Sequence, residues 1–267
     1  MGDGNVGTKL NILNSSGFEK HGKERTMAHP SRLNEFPKIN RRLILDFLIP
    51  CLVLVIMTML LVITEADIRI ERLFYQPDGG FVHWKDNPWY FLYQYGELPG
   101  IVMGGAAVVV FLAGFYSAGA HRYRKLALYF ILLLALGPGL IVNYIFKDYW
   151  GRPRPNQVDV FGGDKKYQQV WQTGIAGEGK SFPSGHAAIA FYLFSPFLAL
   201  RRFSARWALF FLMLGIAYGL LMGLTRMVQG GHFPSDVLWA GGIVYLTGLI
   251  LYYALGLDRN IALNIEQ

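Results

Sequence analysis

Three short stretches of the 267-residue chain carry side chains whose types and spacing could do chemistry. The first is Lys147-Asp148-Tyr149-Trp150-Gly151-Arg152-Pro153-Arg154-Pro155, the second Ser181-Phe182-Pro183-Ser184-Gly185-His186, and the third Thr225-Arg226 with His232-Phe233-Pro234-Ser235-Asp236. Lys147, Arg154 and Arg226 would repel one another at a common point unless a polyanion sat among them. Phosphate suits them, because Arg grips its oxygens bidentately and Lys adds a point charge. Ser184-Gly185-His186 opens an apolar block, so free backbone N–H groups and the positive end of a helix would face that anion. Gly185 lets the backbone approach closely.

The two histidines offer two roles. His232 precedes Asp236 by four residues, beside a helix start marked by Pro234. A carboxylate there could accept the imidazole N–H, fix the tautomer and leave the other nitrogen free for attack. His186 could protonate the departing oxygen as general acid. His186, His232 and Asp236 also form a 2-His-1-carboxylate set, but three neighbouring cations argue against a dication, so no metal is expected. Singly, each residue has an ordinary explanation, since a Lys or Arg at a membrane interface is usually a snorkelling anchor. Their combination carries the reading.

These residues must be positioned by helices in a bilayer. The chain is 53% hydrophobic, 15% aromatic and only 16% charged, where soluble domains carry about a quarter charged residues. Six apolar blocks predict an all-α, polytopic six-helix bundle: Leu43 to Thr64, Leu98 to Ala118, Leu126 to Phe146, His186 to Leu200, Trp207 to Thr225 and Val237 to Leu257. The fourth is short and needs interfacial residues to cross. Gly215, Gly219 and Gly223 form a ladder for close helix packing, Gly137-Pro138-Gly139 marks a kink, and Asp46 sits at an interface. Residues 1–42 read as a flexible basic cytoplasmic tail, and 43–267 as the six-span domain with a short cytoplasmic C-terminus. The lone Cys51 excludes an intramolecular disulfide.

Charge sets the orientation. Alternate segments hold 15 of the 25 Lys and Arg on the side of the N-terminus and 10 on the other. The short loops 119–125 and 201–206 carry three each, which keeps them cytoplasmic with both termini. All three polar stretches then fall together on the outer face, an outcome independent of the count that oriented the chain. The net charge of +7 is explained by topology and not by nucleic-acid binding.

Lys147 with six residues to Arg154-Pro155, then Pro183-Ser184-Gly185-His186, then Arg226 with His232 and Asp236 resembles the three-part signature of the type 2 phosphatidic acid phosphatase superfamily. The resemblance extends over about 43–257 and implies a metal-independent lipid phosphatase without cofactor, in the bacterial cytoplasmic (inner) membrane, with an extracytoplasmic site. It implies that Lys147, Arg154, Ser184, Gly185 and Arg226 bind phosphate, that His232 forms a phosphohistidine supported by Asp236, and that His186 protonates the leaving oxygen. Thr225 stands where the signature usually has Ser. Gly151-Arg152 and Phe161-Gly162-Gly163 with Lys165-Lys166 are similar to bacterial members acting on lipid A phosphates, and the extra cations suit a headgroup with more than one phosphate. Lipid A is favoured over polyprenyl pyrophosphate, phosphatidylglycerol phosphate and phosphatidate, with 147–185 as the deciding loop. Phosphotransfer to a second lipid is an alternative, and a lipid-phosphate transporter is the non-enzymatic one, which broken helices and midplane charges would favour.

Overall fold

In a computed structural model, residues 1–2 and 41–260 are described. The basic tail expected over 1–42 lies almost wholly outside them, as do residues 261–267. Among the described residues every regular element is helical, and strand-like pairing is confined to two isolated bridges, Gln76 with Gly80 and Val158 with Lys165. The main helices are α1 (Arg41–Ile63), α2 (Ala66–Glu71), α3 (Trp89–Tyr95), α4 (Leu98–Ala113), α5 (Arg124–Leu134), α6 (Gly185–Phe191), α7 (Pro196–Leu200), α8 (Ala205–Val228) and α9 (Pro234–Ala254).

Among the described residues, five stretches are long and apolar enough to cross a membrane: Arg41–Ile63, Trp89–Ala113, Arg124–Tyr149, Ala205–Val228 and Pro234–Ala254. The sixth apolar block, Gly185–Leu200, is shorter. At 1.5 Å per residue it reaches about 24 Å, below a ~30 Å hydrocarbon layer. It is also the most enclosed segment. Ala187, Ala188, Ala190, Tyr192 and Leu198 have no exposed surface, and they form the core with Tyr129 and Leu133 of α5 and Val244 and Leu249 of α9. α1, by contrast, turns Leu48, Ile49, Leu52, Val53, Val55 and Ile56 outward, an apolar band suited to lipid and not to water.

Small residues allow this packing. Gly215, Gly219 and Gly223 of α8 lie against Phe194, Phe191 and Val237, so the ladder seats the enclosed segment and α9. Gly137-Pro138-Gly139 lies in a π-helical stretch, Ala135–Phe146, that continues α5 toward Lys147. The second apolar stretch begins at Trp89, nine residues before the expected Leu98, so Tyr93 lies in helix α3 and Glu97 in the tight turn that joins it to α4. Asp46 does not simply face an interface. It meets Arg201 (2.5 Å) and the Tyr253 hydroxyl (2.5 Å), tying the first helix to the ends of the fourth and last apolar segments.

At the opposite end the connecting segments build a small core of their own. Phe81, Val158, Phe161 and Phe233 are buried together, with Tyr75 against Phe81 (5.6 Å) and Phe161 (5.3 Å). These segments are therefore fixed to one another and give the polar stretches a rigid frame. A leucine at 219 would enter the space of the Phe191 ring, whereas nothing lies within 4 Å of a Cβ at Gly105. Gly219→Leu is expected to cost about 1–3 kcal/mol or more and to broaden the size-exclusion profile in detergent. Gly105→Leu should elute and melt like the parent.

Candidate active site

The three polar stretches converge because hydrogen bonds stitch them together. Ser181 N–H donates to the Arg152 carbonyl (3.0 Å), Ser184 N–H to the Asp236 carbonyl (3.3 Å), and Asn156 N–H to the Gly230 carbonyl (3.1 Å). Arg152 completes the junction. Its guanidinium is fully buried and donates to Asp236 Oδ1 (2.5 Å), Ser235 Oγ (2.8 Å), Asp67 Oδ2 (2.8 Å) and, through Nε, to the Gln168 carbonyl (3.0 Å). Burial alone would lower its pKa, but the Asp236 and Asp67 carboxylates outweigh that and raise it. With its donors engaged inside the protein, Arg152 does not serve a second phosphate. Lys165 donates to the Glu178 carbonyl (2.8 Å), and Lys166 pairs with Asp159 (2.5 Å).

His232 lies inside this frame with 1% exposure. Its Nδ1 is 2.5 Å from the Ser181 carbonyl oxygen and 3.9 Å from Asp236 Oδ2. A carbonyl only accepts, so Nδ1 carries the proton and Nε2 keeps its lone pair. Asp236 reaches the imidazole through an intermediary: its Oδ2 accepts from Ser181 Oγ (2.5 Å), and Ser181 in turn holds the ring. That oxygen also accepts the Phe233 N–H (2.8 Å), which fixes the start of α9. Burial, followed by Arg226, Lys147 and Arg154, lowers the His232 pKa well below the ordinary histidine value. The imidazole is therefore neutral at pH 7, the form that can attack.

The cations around it are held from behind. Lys147 Nζ donates to Asn143 Oδ1 (3.1 Å), and Asn143 Nδ2 donates to the Pro138 carbonyl (2.8 Å), so the π-helical stretch positions the ammonium. A Cβ at Gly185 would lie 3.1 Å from that Nζ, so only glycine leaves the approach open. Arg226 donates to Gln229 Oε1, and its guanidinium sits 4.7 Å from the Tyr93 ring. Arg154 Nε, Arg226 Nε and Ser184 Oγ are buried without a protein hydrogen-bond partner. Ser184 precedes α6 without capping it, so its hydroxyl is spare. Three unpaired donors beside a neutral histidine form a cradle for a tetrahedral oxyanion. Thr225 Oγ1 instead donates to the Leu221 carbonyl (2.9 Å), a bond within α8 that serine could make equally well.

His186 faces the second apolar helix. Its ring stacks on Tyr93 (5.0 Å, 19° between planes), and Nδ1 lies 3.5 Å from Glu97 Oε1. The side chain keeps 24% exposure, as a group exchanging protons with a leaving oxygen or with water requires. Beside Arg154 and Arg226 opens a cavity of about 420 Å³, walled on the far side by residues 79–84.

The profile of the PAP2 superfamily, the type 2 phosphatidic acid phosphatases, matches residues 126–259, which include all three stretches. This chain belongs to the PAP2 superfamily. It is 36% identical over 198 residues to a lipid A 4'-phosphatase of Francisella tularensis subsp. novicida, covering 72% of this chain and 87% of that one. A lipid A 4'-phosphatase of Rhizobium etli is 38% identical over 134 residues, 49% of this chain and 51% of its own. Phosphatidylglycerophosphatase B of Bacillus subtilis is 27% identical over 170 residues, 60% of this chain and 72% of its own. No solved structure matches it significantly.

In this PAP2 chain, Asp67, Glu71, Asn143, Tyr93 and Glu97 lie outside the three stretches, and Ser181 lies inside one without a role assigned to it, yet some of them carry a signal. Asp67 and Glu71 are two carboxylates at i and i+4 of a short helix, a repulsive spacing unless a cation or a proton intervenes. Arg152 and Arg154 stand two residues apart, a spacing that puts both on one face of an extended run, so the sequence does not tell which of them lines the site. Gln229 carries no signal of this kind.

Glu71 is fully buried with both carboxyl oxygens unbonded, and burial, then Asp67 and Asp236, raise its pKa well above 4.5. It holds a proton that the unfolded chain releases, so it lends stability at low pH that fades as pH rises from 4.5 through the folded-state value. Glu71→Gln should therefore flatten the fall of apparent Tm on the alkaline side, measured by thermal scans in detergent. Arg152→Met strands Asp67 and Asp236 in the interior and is expected to cost about 3–5 kcal/mol in unfolding experiments.

Proposed function

We propose that this lipid phosphatase removes a phosphate monoester from lipid A through a phosphohistidine on His232, without a metal ion. The observation that carries the mechanism is a buried, neutral His232 with Nδ1 fixed on the Ser181 carbonyl, surrounded by Lys147, Arg154 and Arg226. Nε2 attacks phosphorus while the three cations, Ser184 Oγ and the Gly185 amide neutralise the phosphoryl oxygens. The P–O bond to the lipid breaks, and His186 gives its proton to the departing oxygen. Water then attacks the phosphohistidine and returns a proton to His186, the P–N bond breaks, and inorganic phosphate leaves with His232 neutral again. Asp236 supports the nucleophile through Ser181 and by anchoring α9. Glu97 faces His186 at 3.5 Å, where a carboxylate favours the protonated imidazole that the first step consumes and the second restores.

Lipid A is preferred as substrate because of the Francisella relative, which matches this chain over most of both lengths. The Bacillus relative supports phosphatidylglycerol phosphate as a second reading. In the bilayer we read six crossings, with Gly185–Leu200 sheltered by its neighbours, both termini cytoplasmic and the site at the outer surface of the inner membrane of a bacterium. The basic turns 119–125 and 201–206 support that orientation.

Purified protein given lipid A is expected to release phosphate in excess EDTA. His232→Asn, which keeps a polar side chain of similar reach, should lower kcat by about 10⁴-fold or more while eluting as folded protein. Undiminished turnover by that variant would overturn the assignment, and loss of turnover in EDTA would require a metal.

A further inference from the structure

The phosphate cradle leaves most of the adjoining cavity unexplained. That cavity, about 420 Å³, is lined by Arg154 and Arg226, and its other walls are aromatic and amide side chains with glycine backbone at 79, 80 and 231 between them. Trp84 is 44% exposed, and its backbone carbonyl accepts a 3.4 Å hydrogen bond from Gln229 Nε2. Gln229 Oε1 takes Arg226, so one carboxamide ties the cavity wall to a phosphate-binding cation. Asn156 is anchored through its main chain to Gly230, and its carboxamide makes no hydrogen bond to the described residues. The floor is firm, because Phe81 and Phe161 belong to the packed cluster around Tyr75 and meet at 5.7 Å.

We propose that this cavity is a saccharide subsite, holding the sugar ring that bears the scissile phosphate. A sugar ring has an apolar C–H face and a rim of hydroxyls. Trp84, whose ring also carries the Lys85 ammonium at 4.7 Å, supplies a flat partner for the face, and the Asn156 amide supplies a donor and an acceptor for the rim. A phosphate on a flexible acyl glycerol would reach the same cations but leave the aromatic wall and the Asn156 amide unused. With Arg152 consumed in the interior, selection of this headgroup rests on ring recognition and not on a second phosphate. Residues 79–84 thereby share the choice of substrate that the sequence assigns to 147–185 alone.

The inference rests on the phosphatase reading above, and its test separates the two. Hydrolysis of lipid A and of phosphatidate is measured in the same detergent micelles for the parent, Trp84→Ala and Trp84→Phe, and soluble glucosamine 4-phosphate is compared with glycerol 3-phosphate as a competitor of the parent. Trp84→Ala should cut the preference in kcat/KM for lipid A over phosphatidate by about ten-fold or more, chiefly through KM, and Trp84→Phe should restore most of it. Glucosamine 4-phosphate should compete at the lower concentration. An unchanged preference in the alanine variant, or equal competition by the two soluble phosphates, overturns the subsite while hydrolysis itself upholds the phosphatase. A parent protein that hydrolyses neither lipid overturns both.

Discussion

One buried cation organises the catalytic end of this protein. Arg152 has no exposed surface, yet it touches α2 through Asp67, the start of α9 through Ser235 and Asp236, and the connecting loop through the Gln168 carbonyl. Removing a guanidinium and two carboxylates from water is costly, and only dense hydrogen bonding offsets it. Asp67 accepts from Ser235 N–H (2.9 Å), Ser235 Oγ (2.5 Å) and the Tyr167 hydroxyl (3.1 Å) as well as from Arg152. What results is a junction in which segments more than 160 residues apart have one arrangement. The position of His232 depends on it, because Ser181 is held at one point by the Arg152 carbonyl and at another by Asp236.

The cation cradle needs such a frame. Lys147, Arg154 and Arg226 repel one another and depress protonation of His232, so an unsupported site would open. Each is restrained from behind: Lys147 by Asn143, Arg226 by Gln229 and the Tyr93 ring, and Arg154 through its backbone N–H on Gln157 Oε1 (2.9 Å). In the proposed mechanism that repulsion has a use: together with burial it keeps His232 neutral while the site is free of anion, and a bound phosphate would relieve it.

Much of this is legible in the sequence, for identifiable reasons. Apolar blocks longer than a bilayer requires betray their helices, and Lys147, Arg154, Ser184, Gly185, His186, Arg226, His232 and Asp236 stand out because three cations and two histidines have no packing role. What is less legible depends on long-range contact. Pairing Asp236 directly with His232 follows from their spacing of four, but Pro234 turns the chain into α9 and gives the carboxylate to Ser181 and the Phe233 N–H. Asp46 reads as interfacial because its partners, Arg201 and Tyr253, are more than 150 residues away. Tyr93 and Glu97 read as loop because Gly96 and Pro99 interrupt the pattern, and the chain does turn at 96–97, although the apolar stretch already begins with α3 at Trp89.

The central claim is that the Ser181 carbonyl fixes the proton of His232 on Nδ1 and leaves Nε2 as the attacking atom. The most direct measurement is the position of the phosphoryl group on His232 in protein quenched at alkaline pH during turnover of lipid A. Fragment mass spectra and NMR of the isolated phosphohistidine would distinguish the two ring isomers. The proposed mechanism predicts the adduct on Nε2. An adduct on Nδ1, or one on His186 in place of His232, would contradict it.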